Sequence, residues 1–367
     1  MKRKVLLLCI LCGSYLLNAQ QLEVESVVDL ETNLVETSGL IMLNNKLVTH
    51  NDSGTAAELY EVDTLTGNVS RTVVIKNAVN TDWEDICKDD AFIYIGDFGN
   101  NAGIRTDLYV LRVSISEYTT ALNDTVTADT IHFNFGDQTT FTPQLYTTNF
   151  DVEGMLAMGD SLYIFTKNWG DSHTSYYALS KVPGNFTVFP KGILNSEGMI
   201  TGATYNELSN EIMLCGYTFS SPFILRIDQF TGDDFENGIA TRYQLDVGTS
   251  SIQVEGVCAY SSEGYYFSSE YFQGKSAQVS RLGKANDLGI QAYDQSEGHI
   301  YPNPSNETIS IITPNLFRVE IYDLSNQLIL QAQQKEINIS ALSSGLYLVV
   351  MYDENGEVIE SSKFKKN

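Results

Sequence analysis

The sequence predicts an all-β chain built mainly as a five-bladed β-propeller. Three observations predict it. A group of three or four short strands recurs at a period of roughly 45 to 55 residues, the signature of blades. Helical periodicity is almost absent. The 21 Tyr and 17 Phe are supplied mainly by the strand segments, as a pleated surface favours.

Each repeating unit opens with a small or acidic residue on a short strand. A stronger strand follows, then a third rich in Tyr and Leu. The first unit reads Ser38–Leu43, Lys46–His50 and Glu58–Val62. The second reads Glu84–Cys87, Phe92–Gly96 and Leu108–Val113. The third reads Glu153–Ala157, Ser161–Thr166 and Ser175–Leu179. The fourth reads Thr201–Tyr205, Glu211–Cys215 and Phe223–Ile227, and the fifth Glu255–Ala259, Gly264–Ser268 and Ala277–Ser280. Fourth strands are expected at Ser70–Ile75, Thr130–Asn134, Asn185–Phe189 and Thr241–Leu245. The fifth unit lacks one. The N-terminal run Leu22–Val28 is expected to fill that place and close the ring, leaving no open edge. A six-bladed ring is the alternative, with the extra blade inside the insert Ser114 to Phe150. The turns Asp63–Gly67 and Asp228–Gly232 match, with Asp suited to capping and Gly to positive φ.

Met1 to Gln20 has the form of a removable signal peptide: Lys2-Arg3-Lys4, an apolar run Val5 to Leu17, and a cleavage zone Asn18-Ala19-Gln20. That run is too short for a membrane span, and no other stretch is apolar enough. Cys9 and Cys12 lie inside it without the small preceding residue of a lipoprotein site. The remaining Cys87, Cys215 and Cys258 are odd in number, which excludes a fully paired disulfide framework; they read as buried packing residues. The net charge is −24. Such a field repels nucleic acid and attracts cations. The propeller is expected over 21–283, with a linker over 284–299.

The C-terminal stretch from residue 300 carries Tyr301-Pro302-Asn303-Pro304. Two β-type runs follow, Thr308–Ile312 and Val319–Leu324, then Ile339–Val350 and a basic end, Lys363–Asn367. In order and spacing this resembles the C-terminal sorting domain of type IX secretion cargo in Bacteroidota. The resemblance implies a small β-sandwich over 300–367, recognition by the outer-membrane translocon, and a secreted or surface-attached protein.

Within a blade the first two strands run antiparallel, so the start of the first and the end of the second share one face. Applied to every unit, this brings Ser38, Glu84, Asp85, Glu153, Thr201 and Glu255 to one channel mouth. His50, Asn51, Asp52, Asp97, Lys167, Asn168, Tyr217 and Glu270 join them there. The richest segment combines Asp82-Trp83-Glu84-Asp85-Ile86 with Tyr94–Asn101 and Arg105. Here the chain resembles secreted phytase-like and esterase-like propeller proteins, most of which have no assigned activity. The resemblance implies fold more than reaction.

Carboxylates around a channel suit Ca²⁺, which takes several hard oxygens. Glu84, Asp97, Glu153 and Glu255 are the expected metal ligands. Asn51, Asp52, Asn100, Asn101, Arg105 and Lys167 are the expected ligand-binding residues. In a hydrolase, Glu84, Glu153 and Glu255 would be catalytic, with Glu153 and Glu255 as the acid and base pair for a glycosidic substrate. With a phosphate ester as substrate, Lys167 and Arg105 would hold its oxygens. A non-catalytic module binding an extracellular glycan or protein is the competing class. Trp83 and Trp169 fit either core packing or a stacking platform. The four His show no zinc spacing, and neither a Gly-x-Ser-x-Gly elbow nor a phosphate-binding Gly loop is present.

Overall fold

A computed structural model describes residues 22–218, 221–245, 253–272, 274–284, 299–312, 316–323, 328–353 and 358–367. The expected signal peptide, Met1 to Gln20, and most of the expected linker lie outside them. The chain is all-β and divides into two compact units, Met1–Asn286 and Asp287–Asn367.

Among its described residues the first unit holds five sheets. The first runs Thr37–Leu43, Lys46–Asn51, Glu58–Val62 and Val69–Ile75. The second runs Trp83–Lys88, Phe92–Asp97, Tyr109–Ser114 and Asp129–Phe135. The third runs Val152–Met158, Ser161–Thr166, Thr174–Ser180 and Pro190–Leu194. The fourth runs Met199–Asn206, Glu211–Tyr217, Pro222–Asp228 and Ile239–Gln244. The fifth runs Val254–Ala259, Gly264–Ser269 and Gln278–Lys284, and its outer strand is Leu22–Asp29. This N-terminal strand pairs antiparallel with Gln278–Lys284, the place expected for it. The leading strand of each sheet lies against those of the sheets before and after it, and the fifth returns to the first.

Local chemistry explains the turns. Asn44 and Asn45 both adopt positive φ in the two-residue turn of the first hairpin, a conformation Asn tolerates. In the turn after Val62, Asp63 Oδ1 accepts the N–H groups of Leu65 and Thr66 at 2.9 and 3.0 Å, and Gly67 takes φ +72°. The matching turn keeps its Gly232 at φ +63°, but Asp228 there pairs with Arg226 at 3.0 Å.

Two expectations are corrected. The strand expected over Asn185–Phe189 as the last of the third sheet forms over Gly184–Val188 and joins the second sheet in parallel beside Asp129–Phe135. Val188 and Phe186 pack there with Phe133 and Phe135. Its place is taken by Pro190–Leu194, where a strand-opening proline costs no ladder bond. The insert forms a short helix, Ile115–Thr120, whose Tyr118 is buried, and a strand, Thr125–Val126, on the edge of the first sheet. It builds no sheet of its own among the described residues.

All five leading strands share one irregularity. The register slips between Thr37 and Leu40, Trp83 and Asp85, Val152 and Gly154, Ile200 and Gly202, and Val254 and Gly256. The residues left out of register include Ser38, Glu84, Glu153, Thr201 and Glu255. A bulge re-aims such a side chain away from the alternating pattern. Glycine follows in four of the five strands: Gly39, Gly154, Gly202 and Gly256. The strands approach closely there: a Cβ on Gly202 would lie 2.8 Å from the Glu255 carbonyl oxygen, and one on Gly256 2.9 Å from that of Ser38. The second strand alone has a side chain at this position, Asp85.

Among its described residues the second unit contains two sheets. One comprises His299–Tyr301, Thr308–Ile312 and Glu336–Asn338; the other comprises Leu328–Ala332, Arg318–Tyr322, Gly345–Tyr352 and Val358–Lys366. Both supply one core, with Ile309, Ile311 and Ile337 from the first and Val319, Ile321, Val349 and Phe364 from the second.

Candidate functional site

The bulged residues are buried, between 1% and 8% exposed. Ser38 donates its hydroxyl to the Glu84 carbonyl, and Thr201 donates to that of Val254. These two small polar residues join neighbouring leading strands. The three glutamates are aimed into a cavity of about 290 Å³ lined also by Ser38, Asp52, Asn101, Lys167 and Tyr217. Of the expected site residues, Glu84, Glu153, Glu255, Asp52, Asn101 and Lys167 therefore meet in one place.

Asn51, Asp97, Asn100 and Arg105 do not line it. Asp97 is fully buried, 2.7 Å from the Arg105 guanidinium, and accepts from the Tyr109 hydroxyl at 2.8 Å and the Thr81 N–H at 3.0 Å. Arg105 is further tied to Asp107 at 3.2 Å and donates to the Gly99 carbonyl. Asn100 donates to the Phe150 carbonyl and accepts from the Arg105 N–H, both at 2.9 Å. Asn51 donates to the Asn33 carbonyl at 2.8 Å. These four hold loops in place. Trp83 is core, with no exposed surface, whereas Trp169 lines the cavity.

The cavity is electrically lopsided. Lys167 Nζ lies 3.0 Å from Glu153 Oε1, and 4.9 and 5.4 Å from the ring centroids of Trp169 and Tyr217. Burial opposes its charge, but the surrounding carboxyls, Glu153 first, outweigh this and hold its pKa well above the usual lysine value. Against this one base stand Glu36, Asp52, Glu84, Glu153, Glu255 and Glu270. Burial is the main cause that raises Asp52 to about 7, with Asp82 adding repulsion. Burial raises Glu255 to about 8 and Glu270 to about 7, in each case against the pull of Lys167. Glu84 is pushed well above the carboxylate range by burial and then by Glu153, Asp52 and Asp82. It is 4% exposed, and its carboxyl has no hydrogen-bond or salt-bridge partner among the described residues.

Carboxylate oxygens of Asp52, Asp82 and Glu84 lie within 4.8 Å of one another, a spacing one cation can bridge. Burial raises Asp82 to about 6, against Arg105. Asp82, Glu36, Asp151 and Gln253 were not expected among the site residues. Each stands two residues before a bulged position, a row that the repeat alignment already contained. Asp151 positions rather than lines: its carboxyl accepts from the Trp169 indole N–H at 2.8 Å and from the Asn100 N–H at 2.6 Å. The three cysteines are buried and free, their thiols pushed up by burial.

A comparison with protein-family models matches residues 299–364 to the secretion system C-terminal sorting domain. No curated protein matches the chain. Among solved structures, a hypothetical protein from Leishmania major is 13% identical, covering 71% of this chain and 90% of its own, with a TM-score of 0.38. A provisionally assigned glycoside hydrolase from Bacteroides ovatus is 9% identical, covering 69% and 87%, with a TM-score of 0.40. A protein from Lactobacillus plantarum is 12% identical, covering 89% and 84%, with a TM-score of 0.35. Likenesses this distant bear on neither function nor fold detail. No helix among the described residues is long and apolar enough to cross a membrane. The sorting domain makes the chain a secreted or cell-surface protein exported by type IX secretion, engaging that machinery through its C-terminal unit.

Proposed function

We propose that the first unit is a five-bladed propeller that holds Ca²⁺ at the mouth of its central channel and binds an extracellular ligand beside the ion. The cyclic contact of five leading strands supports the ring. The observation that carries the cation is the meeting of Asp52, Asp82 and Glu84 around one point, with the buried Glu84 carboxyl unpartnered. A divalent ion there relieves three repelling carboxyls and restores the ionised form of each. Calorimetric titration of the mature protein with Ca²⁺ tests this. Saturable binding is expected, weakened at least tenfold in Glu84→Gln. Absence of binding to the parent protein removes the metal.

A hydrolytic reading is favoured by one arrangement. Glu153 and Glu255 come from different sheets into the same cavity: Glu153 pairs with the Lys167 ammonium at 3.0 Å, and burial raises both carboxyls above the usual range, Glu255 to about 8. Two carboxyls in one cavity, one of them held by a buried cation, are the groups an acid and base pair for glycoside hydrolysis needs. Chromogenic glycosides test it, and turnover abolished in both Glu153→Gln and Glu255→Gln is the expected result. A phosphate ester finds less support, because Arg105 and Lys167 are both already paired.

A further inference from the structure

A second cavity, of about 430 Å³, is lined by Tyr146, Trp169, Ser172, Glu197, Met199 and Tyr217. It shares Tyr146, Trp169 and Tyr217 with the acidic cavity, so the two adjoin. The Tyr146 and Trp169 rings lie 4.9 Å apart at 60°. Tyr146 is 57% exposed, an aromatic residue left uncovered at the entrance. Tyr146, Ser172 and Glu197 all adopt positive φ without being glycine, at +56°, +57° and +51°. Such backbone is uncommon and collects at ligand sites, where the fold holds a side chain in place for a purpose other than stability.

We propose that this joint cleft binds a small organic ammonium ion, its apolar body against Tyr146 and Trp169 and its cationic head towards Glu255 and Glu270.

The charge of the walls selects the sign of the ligand. Glu255, Glu270 and Glu36 line the acidic part, which Tyr217 also lines, and Glu197 borders the aromatic part. The one base, Lys167, is taken by Glu153, so an anion meets no free partner among these residues. The geometry selects the kind of cation. Only Asp52, Asp82 and Glu84 have carboxylate oxygens close enough together for a bare metal ion among the described residues. The more widely spaced acids suit a larger, softer cation beside aromatic faces. Lys167 already displays this recognition inside the chain, an ammonium held by one carboxylate and two rings. The volume is in the range of small-molecule sites. The inference rests on the reading of this cavity as a ligand site and not on the metal.

Fluorescence provides the test, because the chain has two tryptophans and Trp83 is fully buried in the core. Titration with 2-phenylethylamine, charged at neutral pH, is expected to change the Trp169 emission and saturate. The uncharged isostere 2-phenylethanol is expected to bind at least about tenfold more weakly. Tyr146→Ala, at an exposed position, and Glu270→Gln are each expected to weaken the amine by about tenfold with the thermal midpoint retained. Amine binding should survive in EDTA, so loss of the Ca²⁺ site leaves this result standing. Equal binding of amine and alcohol, binding of cellobiose in place of the amine, or no response to the amine would each overturn the proposal.

Discussion

The Asp85 carboxylate accepts the main-chain N–H of Ala203 at 3.0 Å, across 118 residues of chain. The same oxygen takes the N–H of Met155 at 2.7 Å, and the other takes that of Ile86 at 2.8 Å. One acidic side chain thus ties the leading strands of the second, third and fourth sheets. Room for it comes from glycine at the equivalent position of the other strands: a Cβ on Gly39 would lie 2.3 Å from Asp85 Oδ1.

Asp85→Ala leaves buried N–H groups without acceptors and should cost about 3–5 kcal/mol. Asp85→Asn keeps one acceptor oxygen and should cost less. Gly39→Ala should destabilise comparably by displacing the carboxylate. Denaturant unfolding of the mature protein measures all three, and a cost below about 1 kcal/mol for Asp85→Ala would show that the carboxylate does not hold the hub.

The Lys167–Glu153 pair is buried at both ends, 7% and 4% exposed at the side chains. Lys167→Met strands Glu153 among other acids and should destabilise by roughly 3–5 kcal/mol. Lys167→Met with Glu153→Gln should recover much of that loss, because no uncompensated charge remains. If the double variant is no better than the single, the pair is not what stabilises this part of the cavity.

Stability should fall as pH rises through neutrality in the absence of metal. Glu255, Glu270, Asp52 and Asp82 have folded-state values of about 8, 7, 7 and 6, all above those of the unfolded chain. Their contribution is fully present below the unfolded carboxyl range, about pH 4, and is lost as pH rises through about 6 to 8. Buried His50, lowered to about 4, acts oppositely, but only below its unfolded value of about 6.5. Between about pH 6.5 and 8.5 the carboxyls act alone, and a loss of roughly 3 kcal/mol is expected in EDTA. Ca²⁺ should restore the loss from Asp52 and Asp82. Melting curves across this range decide it, and a flat or rising profile in EDTA would contradict the raised values.

Removal of 301–367 should leave the first unit folded, since its core clusters contain none of these residues. The truncated protein should accumulate in the periplasm, detectable by fractionation. Continued appearance outside the cell would show that export does not need the sorting domain.

Strand content, the recurrence of units and the export signal are properties of local sequence. β-branched and aromatic runs make strands wherever they fall, and the motifs from Tyr301 onward are read in order along the chain. The recurring Glu84, Glu153 and Glu255 were legible for the same reason, because equivalent positions in equivalent units take equivalent places. Other features depended on contacts distant in sequence. Asp97 and Arg105 look like site residues until the fold pairs them with each other. Glu36 and Gln253 become part of the cavity, and Asp82 comes within reach of Asp52 and Glu84, only because of how the fold places the starts of the leading strands. Val188 prefers the second sheet because that core has room for it beside Phe133 and Phe135. Residue type and spacing determined which acids recur; only the packing of five leading strands decided which face the cavity and which are neutralised inside the wall.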